Sequence, residues 1–444
     1  MSQGSPAPTR PAERIVAIDL LRGFALLGIL IMNIQGFAMP AAAYSNPTVY
    51  GDLSGANRWV WTLSHVFADQ KFMTIFSLLF GAGILLITEK LDARGQRAWT
   101  FHYRRTFWLL IIGLAHAYLL WSGDTLVIYA LCGFWVYWLR KLRPGLQLTL
   151  GILVLAIPAV LALGTGLTIQ YIPPEMVQEL HADWRPPAET VQKEITAYRS
   201  GWVAQMEARV ARSVEFHTVG LLFWGLWRAG GLMLIGMALY RWGVLSGQRP
   251  RGFYIGMAAL GFAVGLPVVI TGVVQNFARG WTMEFSRFGI GEQANYWGSL
   301  LVSAAYIGLM MLFARTRALS WLQDALAAVG RTALTNYLLQ TVLATTLFYG
   351  HGLGLFGSVE RVGQIGIVAA IWAVQLVLSP LWLRRYRFGP LEWLWRSLTY
   401  WRFQPMTARL LPRSPISPLS VSLPPSMPRA SAHNSGPRTA RRVP

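Results

Sequence analysis

A single cysteine, Cys132, in 444 residues rules out a disulfide within the chain and leaves the redox compartment unmarked. Charge is also scarce, at 13% of residues against 54% hydrophobic. That balance leaves a water-soluble globule too little polar surface to cover itself. No glycine-rich phosphate loop with lysine, HExxH, paired cysteine or nucleophile elbow occurs, which removes P-loop, zincin and α/β-hydrolase chemistry from consideration. Histidines number seven and are scattered without ligand spacing, so no metal is expected. Acids are outnumbered 19 to 39 by Lys and Arg, for a net charge of +20. In a soluble protein this excess would suggest nucleic acid. Here the cations collect in short loops between apolar runs and in the tail, the positive-inside pattern of a membrane protein, and no nucleic-acid partner is expected.

What is present is apolar length. Crossing a hydrocarbon layer of about 30 Å takes about 20 apolar helical residues. The sequence offers ten such runs: 17–38, 58–88, 106–122, 124–139, 147–171, 218–240, 252–275, 295–314, 332–350 and 363–383. The fold class expected is all-α, a polytopic transmembrane bundle of about ten spans, with the second run broken near Asp69 and Lys71. With ten spans, the basic loops all fall on one side of a multi-pass protein, which places both termini in the cytoplasm. The lipid bilayer is then its first partner.

Residues 1–14 read as a short cytoplasmic N-terminus, 15–403 as the transmembrane domain and 404–444 as a disordered basic tail with six arginines and no acid. Within the domain, 172–217 is the one long outer loop. Val191, Ile195, Tyr198, Trp202, Met206 and Val210 recur there at helical spacing and predict an amphipathic helix that lies on the outer surface or caps a cavity. The stretch 388–403 mixes Trp and Arg as interfacial helices do. AMPAAAY after the first run is similar to a signal-peptidase site. Cleavage would remove Asp19 and Arg22 and put the charged loops out of phase, so a retained helix is expected.

Polar groups inside the spans are the pointers to chemistry, because each costs about 2.5–3.5 kcal/mol to insert unless paired or solvated. Arg22 and Asn33 stand eleven residues apart, close to three turns, which places them on one face about 16 Å apart along the axis. Asp19, one turn before Arg22, can pair with it. Either the pair snorkels and Asn33 glues two helices, or this face lines a polar cavity. Arg105 and His116 repeat the interval in the third run, with Asp124 just beyond its outer end. A carboxylate there would orient the imidazole and raise its basicity, which makes His116 a candidate general base. His65, Asp69 and Lys71 form a second outer-side cluster that reads equally as an exposed polar turn. Arg228, Asn336 and Gln340 are further embedded polar groups, and Gly330, Arg331 and Thr332 offer a helix start suited to an anion.

AIDLLRGFALLGILIMN, KFMTIFSLLFGAG, GLAHAYLLWSGDTLVIYALCG, GRTALTNYLLQTVLATTLFYGHGLGLFG and FGPLEWLWRSLTY, in that order between about 14 and 403, resemble the bacterial YeiB family, whose C-terminal half carries the domain of unknown function DUF418. The Asp, Arg-Gly and Asn arrangement of the first run also resembles two groups of membrane acyltransferases, the heparan glucosaminide N-acetyltransferase type and the bacterial sugar O-acyltransferases. The latter place a histidine eleven positions after the Arg, where this chain has Asn33, an amide that cannot act as a base. The heparan type resembles this chain in having Asn there, with its histidine taken from the stretch before the second helix, the region of His65.

The resemblance implies transfer of an acyl group from a cytosolic acyl-CoA-type co-substrate to an envelope glycan or lipid outside, with no bound cofactor. Arg22, Arg104, Arg105 and Arg331 would hold the donor phosphates, with Asp19 beside them. Asn33, Asn336 and Gln340 would line the path, and His116 with Asp124, or His65 with Asp69, would supply the base. The alternative from another class is a small-solute transporter or exporter that uses the same embedded groups as its pathway.

Overall fold

A computed structural model describes residues 15–316 and 318–407. The N-terminal arm 1–14, Arg317 and the basic tail from residue 408 lie outside the described residues.

Eighteen α-helices carry the described chain. The first half comprises α1 (Val16–Ala38), α2 (Ala42–Ser45), α3 (Gly55–Phe67), α4 (Lys71–Ala93), α5 (Ala98–Leu119), α6 (Leu126–Val136), α7 (Pro144–Thr168), α8 (Pro174–Trp184) and α9 (Ala188–Arg199). The second half comprises α10 (Met206–Glu215), α11 (Leu226–Arg241), α12 (Arg251–Ala278), α13 (Met283–Ser286), α14 (Ile290–Phe313), α15 (Ser320–Arg331), α16 (Ala333–Phe348), α17 (Arg361–Arg385) and α18 (Pro390–Tyr400). A π-helical turn, Phe216–Gly225, joins α10 to α11. Among the described residues there is no strand beyond one isolated bridge, Tyr386 with Thr407. The protein is an all-α, polytopic helical bundle.

Among the described residues, seven segments are long and apolar enough to cross a membrane: Val16–Ala38, Gly55–Ala93, Pro144–Tyr171, Met206–Arg241, Arg251–Ala278, Met283–Phe313 and Arg361–Arg385. The other three expected spans are helical but do not meet that standard. α6 and α16 have 11 and 16 residues, and α5 carries Arg104 and Arg105 inside its length. The break expected in the second span is present, because Gln70 takes a left-handed conformation (φ 64°) between α3 and α4.

Burial divides the helices into a core and a lipid-facing shell. α1 runs through the largest apolar cluster, where Leu21, Ala25 and Leu26 are wholly buried. α7, α12 and α17 present Val160, Leu167, Leu260, Val377 and Leu378 outward, apolar faces that suit hydrocarbon. Lipid offers no hydrophobic drive between helices, so close backbone packing must hold them together. Gly23 of α1 lies against the Leu326 carbonyl of α15, and Gly330 of α15 lies against the Asp19 carbonyl of α1.

Two sequence expectations are corrected. The stretch 315–331, read as a loop, contains α15, whose buried face is Ala325, Leu326, Ala328, Val329 and Gly330. The single amphipathic helix of the long outer loop is three helices, α8 to α10. Val191, Ile195 and Tyr198 of α9 are buried with Ile34, Phe37, Tyr349 and Phe356, so α9 caps the bundle. The pattern breaks at Ser200 and Gly201, and Trp202 is exposed.

Candidate functional site

His116 sits near the end of α5, and the chain turns at Trp121 and Gly123 before α6 begins. Asp124 precedes α6 and accepts a hydrogen bond from the Val127 amide at 2.9 Å, as a carboxylate does at a helix N-terminus. That fixes the carboxylate, and its other oxygen lies 2.7 Å from His116 Nδ1. Both side chains are wholly buried. An ionised carboxylate can only accept, so Nδ1 carries the proton and Nε2 is left as the acceptor. Nε2 faces the Thr341 hydroxyl of α16 at 2.9 Å. The order carboxylate, imidazole, hydroxyl is the geometry of a general base directed at an O–H.

Thr341 belongs to a buried polar seam between α16 and α17. Asn336 donates to Thr332 Oγ1 at 2.8 Å and to Ser379 Oγ at 2.9 Å. Gln375 donates to the Asn336 carbonyl at 2.8 Å and accepts from Gln340 at 3.0 Å, while Gln340 also reaches the Leu26 carbonyl of α1 at 3.5 Å. Thr332, Asn336, Gln340 and Thr341 are each at most 3% exposed. From Thr332 to Thr341 the seam covers about 14 Å of helix axis.

At the end of the bundle that bears Arg22, α1 contributes the pair Asp19 and Arg22 at 2.9 Å. Arg105 stacks on the Trp395 ring of α18 at 4.2 Å, and Arg104 on Trp401 at 4.9 Å. The helix start expected near Gly330, Arg331 and Thr332 is real but already filled. Gly330 and Arg331 close α15, and the N-terminus of α16 holds the carboxylate of Glu392, which accepts from Leu334 N (2.6 Å), Thr335 N (3.1 Å) and Thr335 Oγ1 (2.6 Å). Arg331 is half-buried. Asn33 is half-buried on α1, two residues before the buried Gln35.

The second cluster is inside the fold and not an exposed turn. His65 Nδ1 lies 3.2 Å from Asp69 Oδ2, and Asn295 of α14 donates to the same oxygen at 2.7 Å. Lys71, wholly buried, donates to Asn295 Oδ1 at 2.5 Å and to the His65 carbonyl at 2.8 Å. Gln70 donates to Glu292 at 3.1 Å. Arg228 of α11, also wholly buried, reaches Ser299, Thr74 and the Tyr296 carbonyl at 2.9, 3.3 and 3.3 Å and lies over the Tyr296 ring at 4.3 Å. Sequence reading found His65, Asp69, Lys71 and Arg228 but missed Glu292, Asn295 and Thr341. Glu292 and Asn295 stand three apart at the head of an apolar helix, and that spacing was a usable signal.

Comparison with known proteins decides the family. The chain is 33% identical to "Uncharacterized protein YeiB" of Escherichia coli (strain K12), over 87% of this chain and 96% of that one. It is 31% identical to "Uncharacterized protein YxaH" of Bacillus subtilis (strain 168), over 90% and 98%. A 39.9 kDa protein from the amylase 3' region of Bacillus acidopullulyticus matches at 27%, over 89% and 96%. The family model described as "Protein of unknown function (DUF418)" matches residues 239–402. The chain belongs to the YeiB-like DUF418 family. Within it, the DUF418 match covers α12 to α18, and so Asn295, the seam of α16 and α17, Glu392 and Trp395. Asp19, His116 and Asp124 lie before it.

Proposed function

We propose that the protein is a transmembrane acyltransferase that moves an acyl group from a cytosolic acyl-CoA-type donor to a hydroxyl of an envelope glycan or lipid outside the bacterial inner membrane. The observation that carries this reading is the buried relay of Asp124, His116 and Thr341. The acceptor hydroxyl takes the place of the Thr341 hydroxyl on His116 Nε2 and gives up its proton there. Its oxygen attacks the thioester carbonyl, the C–S bond breaks as the new C–O bond forms, and the imidazolium returns the proton to the departing thiolate. Asp124 holds the tautomer and stabilises the charged imidazolium. Arg22, Arg104, Arg105 and Arg331 form the donor end, and the seam through Asn336 and Gln340 lies between donor end and base.

The test is transfer of labelled acetyl from acetyl-CoA by the full chain in nanodiscs supplied with envelope extract. His116→Asn is expected to lower the rate by about 10²–10⁴. No transfer from any common acyl-CoA, or full activity in His116→Asn, overturns the reading.

A second reading, a small-solute transporter, is favoured by one observation. The left-handed break at Gln70 interrupts a membrane-length segment next to the buried Lys71, Asp69 and Asn295 network, and interrupted helices beside ionisable groups are features of transporter binding sites. Counterflow in proteoliposomes, with the solute chemically unchanged, would select it.

A further inference from the structure

At the start of α5 an open cleft of about 630 Å³ lies between the turn from α4 and the 3-10 turn Tyr137–Lys141 that follows α6. Its size falls within the range of about 300–1,000 Å³ usual for ligand clefts. The lining carries three cations, Arg97, Arg140 and Lys141, and one carboxylate, Asp92. Asp92 is engaged by Arg140 at 2.7 Å, and Arg140 also lies over the Tyr137 ring at 4.8 Å. The next acid on α4, Glu89, pairs with Arg241 at 3.2 Å. Arg140 is thus a buried guanidinium fixed in place through one of its nitrogens, with N–H donors left for a further acceptor. Arg97 and Lys141 are exposed in the same cleft, and they leave its lining with a positive balance.

Two tryptophans flank the cations. Trp99 and Trp138 line the same cleft and are exposed, the combination of indole and basic side chains that marks a membrane interface. Tyr103, Phe107 and Ile111 follow Trp99 along α5 at intervals of four, so the four side chains form one ridge on the helix surface. Trp99, Phe107 and Ile111 are exposed, and Tyr103 is held against α6 by its hydroxyl, which donates to the Phe134 carbonyl at 2.9 Å. From Trp99 to Ile111 the helix rises about 18 Å, a little more than half of a hydrocarbon layer of about 30 Å. The ridge therefore starts at a basic cleft and runs the depth of one leaflet.

We propose that this cleft seats the phosphate of an anionic phospholipid, held by Arg97, Arg140 and Lys141, with an acyl chain lying along the α5 ridge. Basic pockets between membrane helices recognise lipid headgroups in this way, and guanidinium groups hold phosphoryl oxygens through charge-assisted hydrogen bonds. A soluble phosphate would use the cations but not an apolar ridge one leaflet long. A zwitterionic lipid would use the ridge but bring its own ammonium among the cations. The site is separate from the base at His116 and does not depend on the acyl-transfer reading.

The experiment is native mass spectrometry of the full chain, released from detergent after incubation with phosphatidylglycerol or phosphatidylcholine. The charge variant is Arg97→Gln with Lys141→Gln, and the ridge variant is Phe107→Ala with Ile111→Ala. The control is Arg384→Gln with Arg385→Gln, which removes two charges at the end of α17. All six substituted side chains are exposed, so each variant is expected to fold and to elute as a single species. Phosphatidylglycerol should bind in preference to phosphatidylcholine and weaken by about ten- to thirtyfold in the charge variant, the scale of two basic side chains at an anionic lipid surface. It should weaken in the ridge variant as well, and stay unchanged in the control. Equal binding of the two lipids, or equal weakening in the control, overturns the site. Full binding by the ridge variant, or displacement of phosphatidylglycerol by equimolar glycerol 3-phosphate, overturns the lipid as occupant in favour of a soluble phosphate. A protein dimer formed in place of the lipid adduct overturns it in favour of a second copy of the chain.

Discussion

Replacing Gly330 with Ala tests how the bundle is held. α1 and α15 cross where Gly23 faces Gly330. A Cβ on Gly330 would overlap the Asp19 carbonyl and stand 2.8 Å from the Gly23 amide nitrogen, with backbone on both sides and no flexible side-chain end to yield. To restore ordinary van der Waals separation the helices must part by roughly 1.5 Å, and Ile18, Leu326 and Val329, all buried in the same cluster, would lose contact. Overpacking of this kind costs about 1–3 kcal/mol. Gly256 of α12 is the control, since nothing lies within 4 Å of the Cβ it would gain. Ala there should be neutral or stabilise by up to about 1 kcal/mol through helix propensity. The expected gap between the variants is therefore about 1–4 kcal/mol, read as a shift in denaturant-titrated unfolding in mixed micelles. If Gly330→Ala proves as stable as Gly256→Ala, close backbone packing does not hold this crossing.

Asp124→Asn should keep acyl-CoA binding yet lower transfer by roughly 10⁴, the scale set by the wrong tautomer in a hydrolytic triad; a loss of binding without a loss of turnover in acyl-transfer assays would refute it. Lys71→Met should destabilise by about 3–5 kcal/mol, because it leaves the Asp69 charge buried without the cation of its network. Adding Asp69→Asn should recover part of that loss in a double-mutant cycle of melting temperatures, whereas strict additivity would deny the coupling. Burial pushes the Glu392 carboxyl above the usual glutamate range. A raised folded-state value means that stability is fully present below the ordinary glutamate range and declines as pH rises through the folded value. Thermal melts of Glu392→Gln across that interval should lack this decline, and an unchanged slope would count against it.

How much of this was legible depended on sequence distance. The His116 and Asp124 contact was readable because eight residues spanning one helix end bring two chemistries together, and Asp19 with Arg22 because one helical turn does the same. The break at Gln70 was readable from charges interrupting an apolar run. The partner of Lys71, Asn295, is 224 residues away, and local spacing carries no trace of such a contact. Thr341 was passed over because threonine in an apolar helix more often bonds its own preceding turn, and only the fold shows it against His116. α15 was missed because its 12 residues, with Gln323, Asp324 and Arg331 among them, fall short of a membrane-length apolar run. The fold class needed only composition and run length, whereas the site needed helix neighbours that composition does not name.

α16 links the two ends physically. Gly23 and Gly330 set the depth at which α15 meets α1, and α15 passes directly into α16 at Thr332. The start of α16 is held by Glu392 of α18, and α18 is seated on α5 through Trp395 and the Arg105 carbonyl. Nine residues after Thr332, α16 presents Thr341 to His116, which stands on the same α5, eleven residues beyond Arg105. These contacts close a circuit of α5, α18 and α16 that holds both Arg105 and His116 against their neighbours. Helices bonded at both ends transmit shifts as rigid bodies, so a change at the Gly23 crossing is expected to displace α16 as well as α15, which would give the Asp19, Arg22 and Gly23 turn a positional role apart from its charge.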